Sequence, residues 1–157
     1  MAAFYLVVGS VYGAAEHVSE EVMAALTAQG HQASLLEGDD PELISGLGEG
    51  SLLVITSTTG SGDLPDNLAP LFFALKDRFP LLPNLRYGVI ALGDSSYGET
   101  FCGAGRQFDE LLTELGAKRV GERLQIDACE TFEPEAEALK WLPQWLEQLE
   151  RLPVSAA

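Results

Sequence analysis

Three short stretches hold the residues whose types and spacing could do chemistry: 9–16 (Gly-Ser-Val-Tyr-Gly-Ala-Ala-Glu), 56–67 (Thr-Ser-Thr-Thr-Gly-Ser-Gly-Asp-Leu-Pro-Asp-Asn) and 93–103 (Gly-Asp-Ser-Ser-Tyr-Gly-Glu-Thr-Phe-Cys-Gly). The first is a small-residue turn that runs straight into a helical pattern. Its backbone N–H groups and the helix N-terminus make an anion cradle, to which Ser10 and Tyr12 add hydroxyls. No Gly-Lys-Ser/Thr follows and the glycine spacing is not that of a dinucleotide fingerprint, so a phosphate monoester suits the turn better than a triphosphate. The second stretch offers hydroxyls and two glycines, Gly60 and Gly62, whose peptides turn over at low cost if a bound group changes protonation. Asp63 and Asp66 are its only residues suited to acid–base work, and they are equally suited to capping the helix that follows. The third places Tyr97 on a polar loop, where an aromatic ring can stack on a flat ligand. A phosphate cradle, a hydroxyl-rich edge and an aromatic plate describe a site for a mononucleotide with a planar ring, provided that the fold brings the three to one rim.

The elements that would do so are legible in the apolar pattern. Residues 3–8, 51–56 and 87–92 are short, nearly continuous apolar runs, as expected of strands buried on both faces. Helical spacing appears over 14–29 (Val18, Val22, Leu26, then Gly30) and again after Pro65 (Leu68, Leu71, Phe72, Leu75 and Phe79) until Pro80. It returns over about 100–115 (Phe108, Leu111, Leu112, Leu115) and about 134–152 (Leu139, Leu142, Leu146, Leu149). In the last of these, Pro143 is expected to bend or restart the helix because it removes a donor. Residues 31–36 and 118–126 complete the strands, and the polar interlude 37–50 leaves room for at most a short helix. Strict alternation means right-handed crossovers and a parallel sheet. The expectation is an α/β protein with a flavodoxin-like five-stranded parallel sheet, order 2-1-3-4-5, and helices on both faces, its ligand lying beyond the carboxyl ends of the strands.

The 157 residues suit one domain spanning 1–157. With 9 Lys+Arg against 24 Asp+Glu, the formal charge is −15. Such a field opposes a nucleic-acid backbone and favours basic protein partners. Cys102 and Cys129 stand far apart with no metal-ligand spacing, which argues against a zinc site or a disulfide framework and for buried thiols. The N-terminus lacks a basic segment before its short apolar run, and no stretch approaches the roughly 18 apolar residues of a membrane helix. A cytoplasmic monomer with no membrane association is expected.

Gly-Ser-Val-Tyr-Gly (9–13), Ser-Thr-Thr-Gly-Ser-Gly-Asp-Leu-Pro-Asp-Asn (57–67) and Ala-Leu-Gly-Asp-Ser-Ser-Tyr (91–97), followed by Phe101-Cys102, resemble the three FMN loops of flavodoxins. The likeness is to the short variant seen in bacterial MioC-type and YqcA-type flavodoxins and in the FMN domains of cytochrome P450 reductase and sulfite reductase. The resemblance implies that Ser10, Val11, Tyr12, Gly13, Ala14 and Ala15 hold the FMN phosphate, largely through backbone N–H groups. It implies that Thr58, Thr59, Gly60, Ser61 and Gly62 border the flavin ring at N5, with the Gly60 carbonyl turning toward N5–H on one-electron reduction. Tyr97 would cover the outer ring face, and Gly93, Asp94, Phe101 and Cys102 would approach the ribityl chain and pyrimidine end. Two departures stand out. Of the three hydroxyl residues usual in the phosphate loop the second is here Tyr12 and the third is Ala15, which leaves one side-chain hydrogen bond missing, and Thr59 stands where the reductases carry an aromatic, so FMN retention is expected to be weaker.

The function implied is a low-potential carrier of single electrons that is not itself an enzyme. A flavodoxin/ferredoxin-NADP reductase would be the donor, and a client oxidoreductase or biosynthetic enzyme the acceptor. Acids such as Asp63, Asp66, Asp94 and Glu99 would guide docking. The alternatives are an FMN-dependent NAD(P)H:quinone or flavin oxidoreductase, for which no added segment is evident, and a flavin-free module that keeps only the fold. A phosphoacceptor receiver domain shares the strand order but needs an aspartate at the end of the third strand, where this chain has Thr56-Ser57-Thr58.

Overall fold

The computed structural model describes residues 3–10, 13–47, 50–58, 64–93, 102–127 and 133–151. Strands β1 (Ala3–Gly9), β2 (Gln32–Leu35), β3 (Ser51–Thr56), β4 (Arg86–Gly93), β5 (Lys118–Arg119) and β6 (Leu124–Asp127) alternate with helices along the chain, except that β6 follows β5 directly. The helices are α1 (Ala14–Ala28), α2 (Glu42–Ser45), α3 (Ala69–Arg78), α4 (Gly103–Glu114) and α5 (Pro134–Arg151). All pairings are parallel, in the order β2-β1-β3-β4, with β5 and β6 both alongside β4. This is the expected 2-1-3-4-5 sheet, its fifth strand broken in two.

The break falls where Gly121 takes φ 70°. Val120 N–H still reaches the Tyr87 carbonyl at 2.8 Å, so the fifth strand leaves the ladder and rejoins it opposite Ile90. Period-two alternation of the central strands divides the core. Leu6, Leu53, Ile55, Ile90 and Leu92 face α1 and α5, whereas Val7, Val54, Tyr87, Val89 and Ala91 face α3 and α4. Burial on both faces explains why these strands read as continuous apolar runs.

Two sequence expectations change. Helix α5 runs through Pro143 without restarting. The flanking Leu142 and Trp145 are fully buried, and their packing outweighs the one backbone bond that proline cannot make. Helix α3 begins after Pro65, as expected, at Ala69, but with no side-chain cap. Leu68 and Ala69 donate instead to the Pro65 carbonyl, both at 2.9 Å, so Asp66 is an exposed residue and not the helix cap.

Candidate functional site

Register brings the three chemical stretches to one rim. Gly9 pairs with Thr56, Thr56 with Ala91, and Ala91 with Gln125, so the strands that end in the three loops finish in one row. At about 4.8 Å per strand step, the start of the first loop lies roughly 10 Å from that of the third. That is a span a mononucleotide can bridge.

In the first loop, Gly13 adopts φ 87° and precedes α1 without a side-chain cap. A Cβ there would meet nothing within 4 Å, so conformation and not crowding calls for glycine at this position. The first-turn N–H groups point out of the helix end toward the rim with the positive end of its dipole. Ser10 Oγ accepts the Gly13 N–H at 2.8 Å, which leaves the serine hydroxyl proton as a donor for an anion. Ala15 is fully buried within the core facing α5. It therefore contributes a backbone N–H and no side chain, and the missing hydroxyl noted in the sequence is filled by core packing.

The second and third loops are tied together at their feet. Thr58 Oγ1 accepts the Ala104 N–H at 3.3 Å, so its hydroxyl oxygen serves the first turn of α4. Cys102 is fully buried in the left-handed region (φ 54°) at the N-cap of α4, and its thiol lies 3.5 Å from the Ala91 carbonyl. A Cβ on Gly93 would stand 2.7 Å from Cys102 N, so the two ends of the third loop close on each other through this glycine. The Cys102 side chain faces β4, which leaves only its backbone for the rim. Burial, with the Asp127 charge second, pushes the thiol up to about 12. Val11, Tyr12, Thr59, Gly60, Ser61, Gly62, Asp94, Tyr97 and Phe101, with the candidate docking acids Asp63 and Glu99, lie outside the described residues.

Asn67 carries a role that the sequence reading did not assign. Its Oδ1 accepts the Ser10 N–H at 3.0 Å and its Nδ2 donates to the Val8 carbonyl at 3.4 Å. The only signal in the sequence was an amide directly after Pro65-Asp66, which local pattern reads as helix-start chemistry.

A doubly wound sheet whose strand order reverses beside an uncapped helix N-terminus defines a mononucleotide-binding α/β protein of the flavodoxin-like class. The flavodoxin family model matches residues 6–141. The chain is 55% identical over 147 residues to flavodoxin YqcA of Escherichia coli K12, covering 92% of this chain and 97% of that one. It is 40% identical over 149 residues to protein MioC of the same strain, covering 95% and 99%. Among solved structures, a cysteine-to-serine mutant of a flavodoxin from Pseudomonas aeruginosa superimposes with a TM-score of 0.85 at 44% identity, over 94% of this chain and 99% of that one. The chain belongs to the flavodoxin family, whose members are electron-transfer proteins that bind FMN.

FMN suits the residues described. Its phosphate is a dianion, and the rim presents first-turn N–H groups with no side-chain cap and a serine hydroxyl oriented by Gly13. Opposing it is Glu16, exposed in the first turn of α1. No helix among the described residues is long and apolar enough to cross a membrane.

Proposed function

We propose that this protein is a single FMN-binding unit that carries electrons one at a time from an NADPH-linked flavodoxin/ferredoxin reductase to a client oxidoreductase or biosynthetic enzyme. The observation that carries this reading is the uncapped N-terminus of α1, set in register with the ends of β3 and β4. When bound, FMN supplies the redox chemistry, and the protein supplies binding, orientation and the local field. Ser10 donates its hydroxyl to the phosphate, while backbone N–H groups over 11–15 complete the cradle. Thr58, Thr59, Gly60, Ser61 and Gly62 would border the ring edge, where the Gly60 peptide would offer a hydrogen-bond acceptor. Tyr97 covers the outer ring face. Gly93, Asp94, Phe101 and the Cys102 backbone flank the ribityl chain.

The acidic surface offers basic partners a complementary face and opposes a second negative charge on the reduced ring, which favours transfer in single steps. Mixing the purified protein with FMN, a flavodoxin reductase and NADPH should produce a long-wavelength band of half-reduced flavin before full bleaching. A direct two-electron bleach without that band, or rapid NADPH oxidation by this protein alone, would sink the carrier reading in favour of an oxidoreductase.

A further inference from the structure

Strand β2 stops at Leu35 while its neighbour β1 continues to Gly9. The last pairing along this edge is Leu36 N–H to the Leu6 carbonyl at 2.8 Å. In a strand, alternate carbonyls point to the same side, so the Val8 carbonyl and Ser10 N–H emerge on the edge that β2 has vacated. The Gly9 carbonyl faces β3, where it accepts the Ser57 N–H at 2.9 Å. A residue of a parallel strand opposite Gly9 would donate to Val8 O and accept from Ser10 N–H. The Asn67 carboxamide makes both bonds. One side chain, arriving at the start of α3, thus continues the sheet edge by one residue.

From this geometry we propose that Asn67 is a positioning residue for the phosphate: its carboxamide acts as a surrogate strand residue that fixes the first loop at Ser10. The consequence runs outward in two bonds. Asn67 holds the Ser10 backbone, and Ser10 Oγ in turn holds the Gly13 N–H. Between them they set the direction of the serine hydroxyl and the path of the chain into α1. Because Asn67 closes the segment that begins at the second loop, it also joins the phosphate half of the site to the ring half. Asn67 touches no ligand in this role; it acts through Ser10. The inference rests on the FMN reading for its consequence and on the hydrogen bonds of Asn67 and Ser10 for its geometry.

The two are separable by experiment. Affinities of FMN and of riboflavin, which lacks the phosphate, are measured by flavin fluorescence for the wild type and for Asn67→Ala and Asn67→Asp, with thermal unfolding of each apo protein. The wild type should prefer FMN. Asn67→Ala should lower FMN affinity about tenfold or more while riboflavin affinity moves less than twofold. Asn67→Asp should fall further than Asn67→Ala for FMN alone, since it retains the acceptor for Ser10 N–H but adds a negative charge beside the phosphate and loses the donor to Val8. Equal losses for both flavins, or no loss for FMN, overturn the inference. Should Asn67→Ala fail to fold, hydrogen exchange on the wild type decides: the Ser10 amide, one residue past the strand, should be protected, and free exchange overturns the clamp. A wild type that binds neither flavin defeats the FMN reading, and the Ser10 amide then judges the clamp alone.

Discussion

Cys102 and Gly93 show how much a single contact decides at this rim. The thiol has an ordinary value near 9 and is raised to about 12 by burial first and by Asp127 second. In the unfolded chain it ionises above pH 9, while the folded chain keeps its proton until about 12. Unfolding therefore releases a proton in that window, and stability falls as pH rises through it, having been complete below 9. Tyr87 pushes the same way, raised by burial and then by its hydrogen bond to Asp109. By pH 10.5 the Cys102 contribution amounts to about 2 kcal/mol. Unfolding free energies of wild type and Cys102→Ala from urea titrations should converge by that amount between pH 8 and 10.5, and parallel curves would refute the assignment. Gly93→Ala tests the close approach independently. Its Cβ would meet backbone at Cys102, which cannot swing aside, so a loss of about 1–3 kcal/mol is expected by chemical denaturation.

At the scale of elements, the broken fifth strand is held by charge where backbone pairing lapses. Asp109 of α4 is almost wholly buried and accepts from Arg119 at 2.5 Å and Arg123 at 2.7 Å, one cation from each side of the break. Its other oxygen accepts the Tyr87 hydroxyl, also at 2.5 Å. Removing the carboxylate strands the Arg123 guanidinium, whose buried Nε already lacks a partner among the described residues, and takes the acceptor from Arg119 and from the Tyr87 hydroxyl. Asp109→Ala should therefore cost about 3–5 kcal/mol. Arg119→Ala should cost less, because its side chain is 39% exposed and water can replace the protein. Equal urea midpoints for the two variants would contradict this ordering. Little of this network was legible in the sequence, since Asp109 and Arg123 are far apart in pattern and each reads as a solvated charge on its own segment. The strands and helices were legible because burial on a two-faced sheet writes itself as apolar period. The tie of Asn67 to the first loop was not, because it depends on where β2 stops, and no local periodicity encodes the length of a neighbouring strand.

The whole molecule is electrically lopsided. No lysine or arginine precedes Lys76, so ten acids stand unopposed in the first 75 residues, two thirds of the net −15. Those residues build β1, α1, β2, α2, β3 and most of α3, the part of the sheet that includes the proposed phosphate cradle. A cavity of about 500 Å³ beside the first loop has Glu16, Glu20 and Glu37 in its lining, alongside Asn67. The first turn of α1 would therefore attract a dianion against the field of its own domain, using fixed dipoles and hydroxyls such as that of Ser10, while Ala15 supplies none. That repulsion is long-ranged and screens readily: the Debye length falls from about 30 Å at 0.01 M salt to about 8 Å at 0.15 M. The short hydrogen bonds to the phosphate screen much less. FMN should accordingly bind more tightly as NaCl rises from 10 to 150 mM, by roughly threefold or more, whereas riboflavin, uncharged at neutral pH, should hold its affinity constant. Fluorescence titrations of both flavins across that range give the comparison directly. If FMN weakened with added salt, attraction would dominate at the cradle and the unopposed acids of the first 75 residues would not govern retention.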